Sequence, residues 1–349
     1  MSTSVLDQLQ QRARRAPASI RRAVTQCTPW MLVNMRAMAA PKRWLTCGIG
    51  ASEGVARATA AWLRNEANIP ANFRAFSEWL VDGSRGDRPD ESHELGVIVF
   101  SQGLCPNARV ALSRAPQTAT RVLVTAAIES EAAQQAQSMG WLILPHEPAD
   151  EGSLLVRLEG PLCAMAVGRA LAESLAMSKG STRLSRASLD AATSFERGFE
   201  QGQTLGAQQS TDSLDAVCAM LVSGRSLATH SGLPWTWMES TLSAPIALWD
   251  ALGFAHGPMQ AIYERRATIV SFERANEGEN ALFDRVGAVL DPERHTLVRV
   301  RAETDDESAV FAHFGALWGM LTSQLARRPR DLRNWPGKGR DRALYELGG

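Results

Sequence analysis

The sequence has no excess of charge of either sign, no paired-cysteine motif and no long apolar run, and each absence removes a class of function. Lys plus Arg and Asp plus Glu both number 37. No global basic field exists to gather nucleic acid, so any anion must be held by local groups. The cysteines, Cys27, Cys47, Cys105, Cys163 and Cys218, form no CxxC pair and no even framework. That pattern fits a reduced chain rather than a disulfide scaffold, and it supplies no metal-ligand set. No stretch approaches the roughly 18 apolar residues of a membrane span, and no hydrophobic signal core follows Met1. A soluble, cytoplasmic protein with no membrane and no nucleic-acid partner is expected.

What remains is ample material for a core. Hydrophobic residues make up 45% of the 349 and charged residues 21%. That composition belongs to folded globular chains, and the length suits two domains better than one.

The most informative stretch is residues 96–107, where Val97, Ile98, Val99 and Phe100 run without polar alternation into Ser101-Gln102-Gly103-Leu104-Cys105-Pro106-Asn107. A strand with no polar face is one covered on both sides, as in a parallel sheet between helices. Ligands collect at the carboxyl ends of such strands, which makes the loop from Ser101 to Asn107 a candidate site. An ordinary strand-to-helix turn is the competing reading.

Upstream, Arg43–Cys47 reads as a strand that enters Gly48-Ile49-Gly50-Ala51-Ser52-Glu53 and then a helix through Val55, Ala58, Trp62 and Leu63. The glycines permit a tight turn, and the N–H groups and positive dipole end of the new helix suit an anion. A third glycine at the dinucleotide position is missing, since Arg57 and Ala58 stand there. A nicotinamide fingerprint is therefore unsupported, and no cofactor is expected. Ser52 reads equally as a helix N-cap and as an anion ligand.

Further strands are expected at 71–75, 122–125 and 141–144, with helices at 106–114, 129–138, 162–177 and 186–202. This alternation implies a parallel, doubly wound sheet. His146 and Glu147 fall just past a strand end. Residues 4–39 read as two helices joined near Ala16-Pro17-Ala18, whose arginines, Arg12 to Arg22, suit a solvated face better than an anion site. Residues 82–94 read as a polar surface loop. In the second half, strands are expected at Ser226–Thr229, Ala267–Phe272 and Thr296–Val300. Helices are expected from Thr236 and near 279–289 and 308–326, which makes a second sheet in tandem.

Four motifs, in order, carry a resemblance. Gly48-Ile49-Gly50-Ala51-Ser52 resembles the Gly-x-Gly-Thr-Ser loop of sugar isomerase (SIS) domains, and Phe73 to Glu78 their strand ending in Ser-Glu. Ser101 to Asn107 resembles their Ser-Gln-Ser-Gly-x-Ser/Thr loop. His256-Gly257-Pro258 resembles the His-Gly-Pro motif of the isomerase half of glutamine:fructose-6-phosphate amidotransferase. The resemblance implies an α/β protein of two tandem SIS domains, each a three-layer, flavodoxin-like parallel sheet flanked by helices. The expected divisions are 1–40 (helical segment), 41–185 (first domain), 186–328 (second domain) and 329–349 (tail). Nothing resembles the glutaminase half, so the likeness is to stand-alone phosphosugar isomerases and deglycases.

By resemblance, the ligand is a small sugar or sugar phosphate, and the chemistry is proton transfer between C1 and C2, for which a carboxylate is a natural shuttle. Gly50, Ser52, Glu78, Ser101, Gln102, Gly103, Cys105 and Asn107 match ligand-loop positions. His256 matches a histidine that in the family reaches the neighbouring subunit's site, which implies a homodimer. Glu239 matches a family glutamate, and Lys338 a lysine of the C-terminal tail, although a solvated tail lysine reads nearly as well.

The departures are equally specific. Ala51 replaces a hydroxyl residue, the loop at 101–107 is one residue short, and Cys105 stands for a Ser or Thr. Ser243 stands at the family lysine and Ile246 at the catalytic glutamate, and an isoleucine cannot shuttle a proton. Asp250, taken to lie one helical turn beyond Ile246, is a substitute carboxylate. Cys105 reads either as a nucleophile at a helix N-terminus or, better, as a small thiol filling the serine's place. Trp235, Trp237 and Trp249 read as core or as sugar-stacking faces. Two functions stand: an isomerase or deaminase of sugar phosphates, and a non-catalytic sugar-phosphate-binding protein.

Overall fold

The computed structural model describes residues 4–81, 94–147, 151–180 and 187–345. Apolar runs without alternation become fully covered strands. A helix of 35 residues, α1 (Val5–Ala39), leads into β1 (Arg43–Cys47), α2 (Ala51–Asn65), β2 (Ala71–Phe73), α3 (Phe76–Val81) and β3 (Leu95–Phe100). There follow α4 (Pro106–Arg114), β4 (Thr120–Thr125), α5 (Glu131–Ser138), β5 (Leu142–Pro145) and α6 (Glu159–Ser178). The second part runs α7 (Ala187–Gln208), α8 (Thr211–Asp215), β6 (Val217–Val222), α9 (Leu233–Thr241), β7 (Ala247–Asp250), α10 (Ala251–Ala255) and α11 (Pro258–Ile262). It ends with β8 (Ala267–Glu273), α12 (Glu277–Val289), β9 (His295–Arg301), α13 (Ala309–Arg327) and α14 (Arg342–Tyr345).

The chain forms two compact units, one of residues 18–152, 157–189 and 334–349, the other of residues 1–17, 153–156 and 190–333. The first holds a five-stranded sheet of order β2-β1-β3-β4-β5, and the second a four-stranded sheet of order β7-β6-β8-β9. Every pairing is parallel. In each sheet the order reverses at one place, between β1 and β3 and between β6 and β8, and such a reversal opens a crevice beyond the strand ends. All residues of β3 are buried, as a strand with helices on both faces requires. One face of the first sheet packs Val97, Val99 and Leu123 against Leu104, Ala108 and Leu112 of the α4 region and Trp79 of α3. In the second unit Leu221 and Ile269 pack with Phe254 and Phe283. Among the described residues no helix is long and apolar enough to cross a membrane.

Three expectations change. The expected break at Pro17 does not occur, because α1 is continuous through it. An interior proline costs about 3 kcal/mol. Here Leu9, Ala13, Ala16, Ile20, Ala23, Cys27 and Met31 form one buried stripe at three- and four-residue spacing, and their burial offsets that cost. The segment Ser226–Thr229, expected as a strand, instead ends a 3-10 helix, Gly224–Ser226, and continues as turns; the strand is the apolar run Val217–Val222 just before. Ile246 and Asp250 share no helix. Leu242 adopts a left-handed conformation (φ 52°) that ends α9, and Asp250 closes β7. Of the surface loop expected at 82–94, residues 82–93 lie outside the described residues.

Candidate functional site

The crevice of the first sheet lies between the loops after β1 and β3. In the first loop, Gly50 is the N-cap of α2 with φ 58° and ψ −132°, a conformation that favours glycine. Gly48 is as constrained, since a Cβ there would stand 2.2 Å from the Ser52 carbonyl oxygen. Thr46 Oγ1 donates to the Ala56 carbonyl at 2.7 Å and pins α2 to β1. Ser52 falls in the first turn of α2. In the second loop, Ser101 is buried and its N–H donates to the Val124 carbonyl at 3.1 Å. Gly103 is exposed. Leu104 takes a left-handed backbone (φ 51°) while fully buried, and half-buried Cys105 is the N-cap of α4. Asn107 Nδ2 donates to the Leu344 carbonyl at 3.2 Å, and its buried Oδ1 has no partner.

A comparison of helix starts distinguishes this crevice. Neither α2 nor α4 has a side-chain hydrogen bond at its cap. Among the described residues the cap residues of α6, α9 and α13 also make no side-chain bond. Even so, every α-helix other than α2 and α4 that follows a strand with no intervening helix has a side-chain oxygen accepting at its N-terminus; α9, reached through the 3-10 helix after β6, has none. Glu78 accepts from Ala75 N at α3, Ser130 caps α5, and Glu151 accepts from Glu159 N at α6. Asp250 caps α10, Asn276 caps α12, and Asp306 accepts from Ser308 N before α13. Uncapped N-termini leave backbone donors and the positive dipole end for a ligand.

The second crevice is filled by protein groups. Glu279 accepts from Ser223 Oγ at 2.6 Å and from Arg274 N at 2.8 Å, so one carboxylate closes the gap between β6 and β8. Arg274, 1% exposed, donates to Ser226 Oγ and pairs with Glu307 at 3.0 Å. Buried Glu273 pairs with Arg299 at 2.6 Å. Beside it His230 Nε2 meets His313 Nδ1 at 2.7 Å, and His313 Nε2 donates to the Glu273 carbonyl at 3.0 Å. Burial drives both imidazoles down, His313 to about 3, with nearby Arg274 adding to the effect. This network is not legible in the sequence because its members come from separate segments, His230 and His313 being 83 residues apart; the only sequence signal of that pair is a lone histidine on each of two apolar segments.

The candidate residues divide accordingly. Gly50, Ser52, Ser101, Gln102, Gly103, Cys105 and Asn107 flank the first crevice. Glu78 lies at the neighbouring strand end, where its Oε1 is committed to Ala75 N at 2.9 Å. Lys338 belongs to the same unit and lies 4.8 Å from the centre of the Trp335 ring. Glu239, Asp250 and His256 belong to the other unit. Glu239 is half-buried on α9, Asp250 Oδ2 accepts from Leu252 N and Gly253 N, and His256 is exposed at the end of α10. His146, at the end of β5, is buried with neither ring nitrogen partnered, and burial pushes it down to about 4. Trp237 is core, while Trp235 and Trp249 are partly exposed.

Two parallel sheets flanked by helices give the fold of the SIS-domain phosphosugar isomerases. The C-terminal domain of glucosamine-fructose-6-phosphate aminotransferase from Francisella tularensis superposes with a TM-score of 0.71 at 10% identity, over 92% of this chain and 96% of that one. Glucosamine-6-phosphate deaminase from Thermotoga maritima gives 0.70 at 13%, over 92% and 97%. Tagatose-6-phosphate ketose/aldose isomerase from Escherichia coli gives 0.70 at 13%, over 96% and 98%. No family model and no curated protein matches the sequence. At such identities the likeness is one of fold.

Proposed function

We propose that the crevice between β1 and β3 binds a sugar phosphate and that the protein is an isomerase or deaminase of such sugars, moving a proton between C1 and C2. The observation that carries the binding half is the pair of uncapped helices, α2 and α4, on the two sides of the crevice. Two helix N-termini on either side of the switch point, with Ser52 and Ser101 in the flanking segments, suit a phosphate in a chain with no net charge to attract one. All three fold relatives named above are enzymes of sugar phosphates. In the catalytic half, exposed His256 serves ring opening in the site of a second copy, so the protein acts as a homodimer, with Glu239 and Lys338 as further polar groups of the reaction.

A second reading, binding without turnover, is favoured by one observation. By the sequence resemblance Ile246 stands at the family's catalytic glutamate, and the nearby substitute, Asp250, is committed as a helix cap. The two readings separate when the protein is incubated with fructose 6-phosphate and with glucosamine 6-phosphate in deuterated water. Exchange at C1 or C2, lost in His256→Ala, supports the enzyme. Binding without exchange selects the second reading. A ligand at 100 times its Kd stabilises by about 2.7 kcal/mol. Absence of any thermal shift with these sugars and with inorganic phosphate defeats both readings.

A further inference from the structure

Gln102, in the loop after β3, does not have a free carboxamide. Its Nε2 donates to Glu151 Oε2 at 3.1 Å. Glu151 is 1% exposed and serves as the N-terminal acceptor of α6, a 20-residue helix whose own N-cap, Leu158, has no side-chain oxygen. Its Oε1 accepts from Leu158 N and Glu159 N, and Oε2 accepts from Gly160 N at 3.4 Å. The amide of Gln102 lies against Gly160, where an added Cβ would stand 2.2 Å from its Nε2 and 2.5 Å from its Oε1. The backbone is pinned as well, since Ala126 N and Thr125 Oγ1 both donate to the Gln102 carbonyl. A carboxylate offers only acceptors, so the partner facing it must be the NH2 group. The group of Gln102 left without a partner among the described residues, and so available to a ligand, is therefore Oε1. Asn107, in the same loop, shows the same polarity, with Nδ2 donating to Leu344 and Oδ1 buried without a partner.

Resting on the sugar-phosphate reading of this crevice, we infer that Glu151 is a positioning residue that fixes the amide polarity of Gln102. The loop then meets the ligand with a carbonyl acceptor and selects a sugar bearing a hydroxyl or ammonium donor there, while the phosphate is left to the backbone and the serines. The isosteric change Glu151→Gln reverses this. The new side chain keeps an oxygen for Leu158 N and Glu159 N, gives up the long bond from Gly160 N, and turns its own NH2 toward Gln102. Gln102 must then accept through Oε1 and present Nε2 outward, a donor suited to a phosphate oxygen.

The test uses the full chain with two probes, inorganic phosphate and glucosamine 6-phosphate, and the wild type, Glu151→Gln and Gln102→Met proteins. The affinity ratio of glucosamine 6-phosphate to phosphate is expected to fall about tenfold in Glu151→Gln, or about 1.4 kcal/mol, and to fall less in Gln102→Met, which has neither polarity. A ratio unchanged in folded variants overturns the inference. If Glu151→Gln does not fold, Gln102→Met carries the same comparison. The positioning contact is read without ligand from the side-chain amide protons of Gln102 by nitrogen–proton correlation spectra. Wild type should show them shifted downfield and protected from exchange, and Glu151→Gln should not. Free, solvent-exchanging amide protons in the wild type overturn the contact itself. Binding of neither probe by a wild type with protected amide protons defeats the sugar-phosphate reading, and with it the selection of ligand, while the contact stands.

Discussion

Asp250 shows how local hydrogen bonds limit what a side chain is available to do. Its Oδ2 accepts from Leu252 N at 3.2 Å and Gly253 N at 3.1 Å, the geometry of a helix N-cap. Asparagine caps about as well as aspartate, while removing the cap costs about 1 kcal/mol. Asp250→Asn should therefore leave the thermal midpoint unchanged, and Asp250→Ala should lower stability by about 1 kcal/mol. If Asp250→Asn abolishes C1/C2 exchange in a fully stable protein, the residue is a proton shuttle as well as a cap. His146 makes the opposite case, a buried imidazole whose ring nitrogens meet no partner among the described residues, held down to about 4 by burial, with the Glu147 backbone pulling the other way. The unfolded imidazole titrates near 6.5, so below that pH the unfolded chain binds a proton that the native state refuses until about pH 4. Stability is lost as pH falls through that window. His146→Leu should accordingly gain about 2 kcal/mol relative to wild type between about pH 7.5 and about pH 5, read from denaturant midpoints. A gain equal at both pH values would show that the imidazole does not titrate differently on folding.

At the scale of elements, α7 and α13 meet backbone to backbone. A Cβ at Gly202 would stand 1.9 Å from the Ala316 carbonyl oxygen, one at Gly198 1.9 Å from that of Ala312, and one at Gly319 2.3 Å from that of Phe199. In an exposed helix, glycine to alanine gains up to about 1 kcal/mol. Here the sign reverses, because the helices must separate to admit the methyl group. Gly202→Ala is expected to lose about 2 kcal/mol, in the range of core overpacking, and a denaturation curve with an unchanged or raised midpoint would contradict the contact. The spacing of Gly198, Gly202 and Gly206 puts all three on one helix face, and that much can be read from the chain. Which helix they approach cannot, since residues 315–319 are more than 100 positions away. Pro17 is a similar case, a local breaker overruled by a buried stripe whose partners no local window contains. At β6 the apolar run Val217–Val222 carries the strand, while the polar Ser226 beyond it is absorbed by contacts to Arg274.

Over the whole molecule, the same parallel plan is used twice with opposite results at the switch point. One crevice keeps two bare helix ends, and the other is closed by Glu279, Arg274 and Glu307 around the His230–His313 pair. A closed polar network is costly to break, because removing one member leaves buried partners unsatisfied. Glu279→Ala is expected to destabilise the protein by about 2 kcal/mol without altering the affinity for inorganic phosphate. A specific loss of phosphate affinity in that variant, measured by titration in a folded protein, would instead assign ligand binding to the second crevice.

The sequence by itself determined the parallel α/β plan, because unbroken apolar runs alternating with 3.6-residue periodicity have few other packings. It also marked the two loops at Gly48–Ser52 and Ser101–Asn107, since glycine, serine and proline after a buried strand can be read locally. The tertiary structure decided which switch point keeps bare helix ends and which partners the carboxamides of its loop meet. Those outcomes depend on single carboxylates, Glu151 for one loop and Glu279 for the other, brought from 49 and 56 residues away. Nothing in the local pattern of either glutamate distinguishes it from a solvated surface charge.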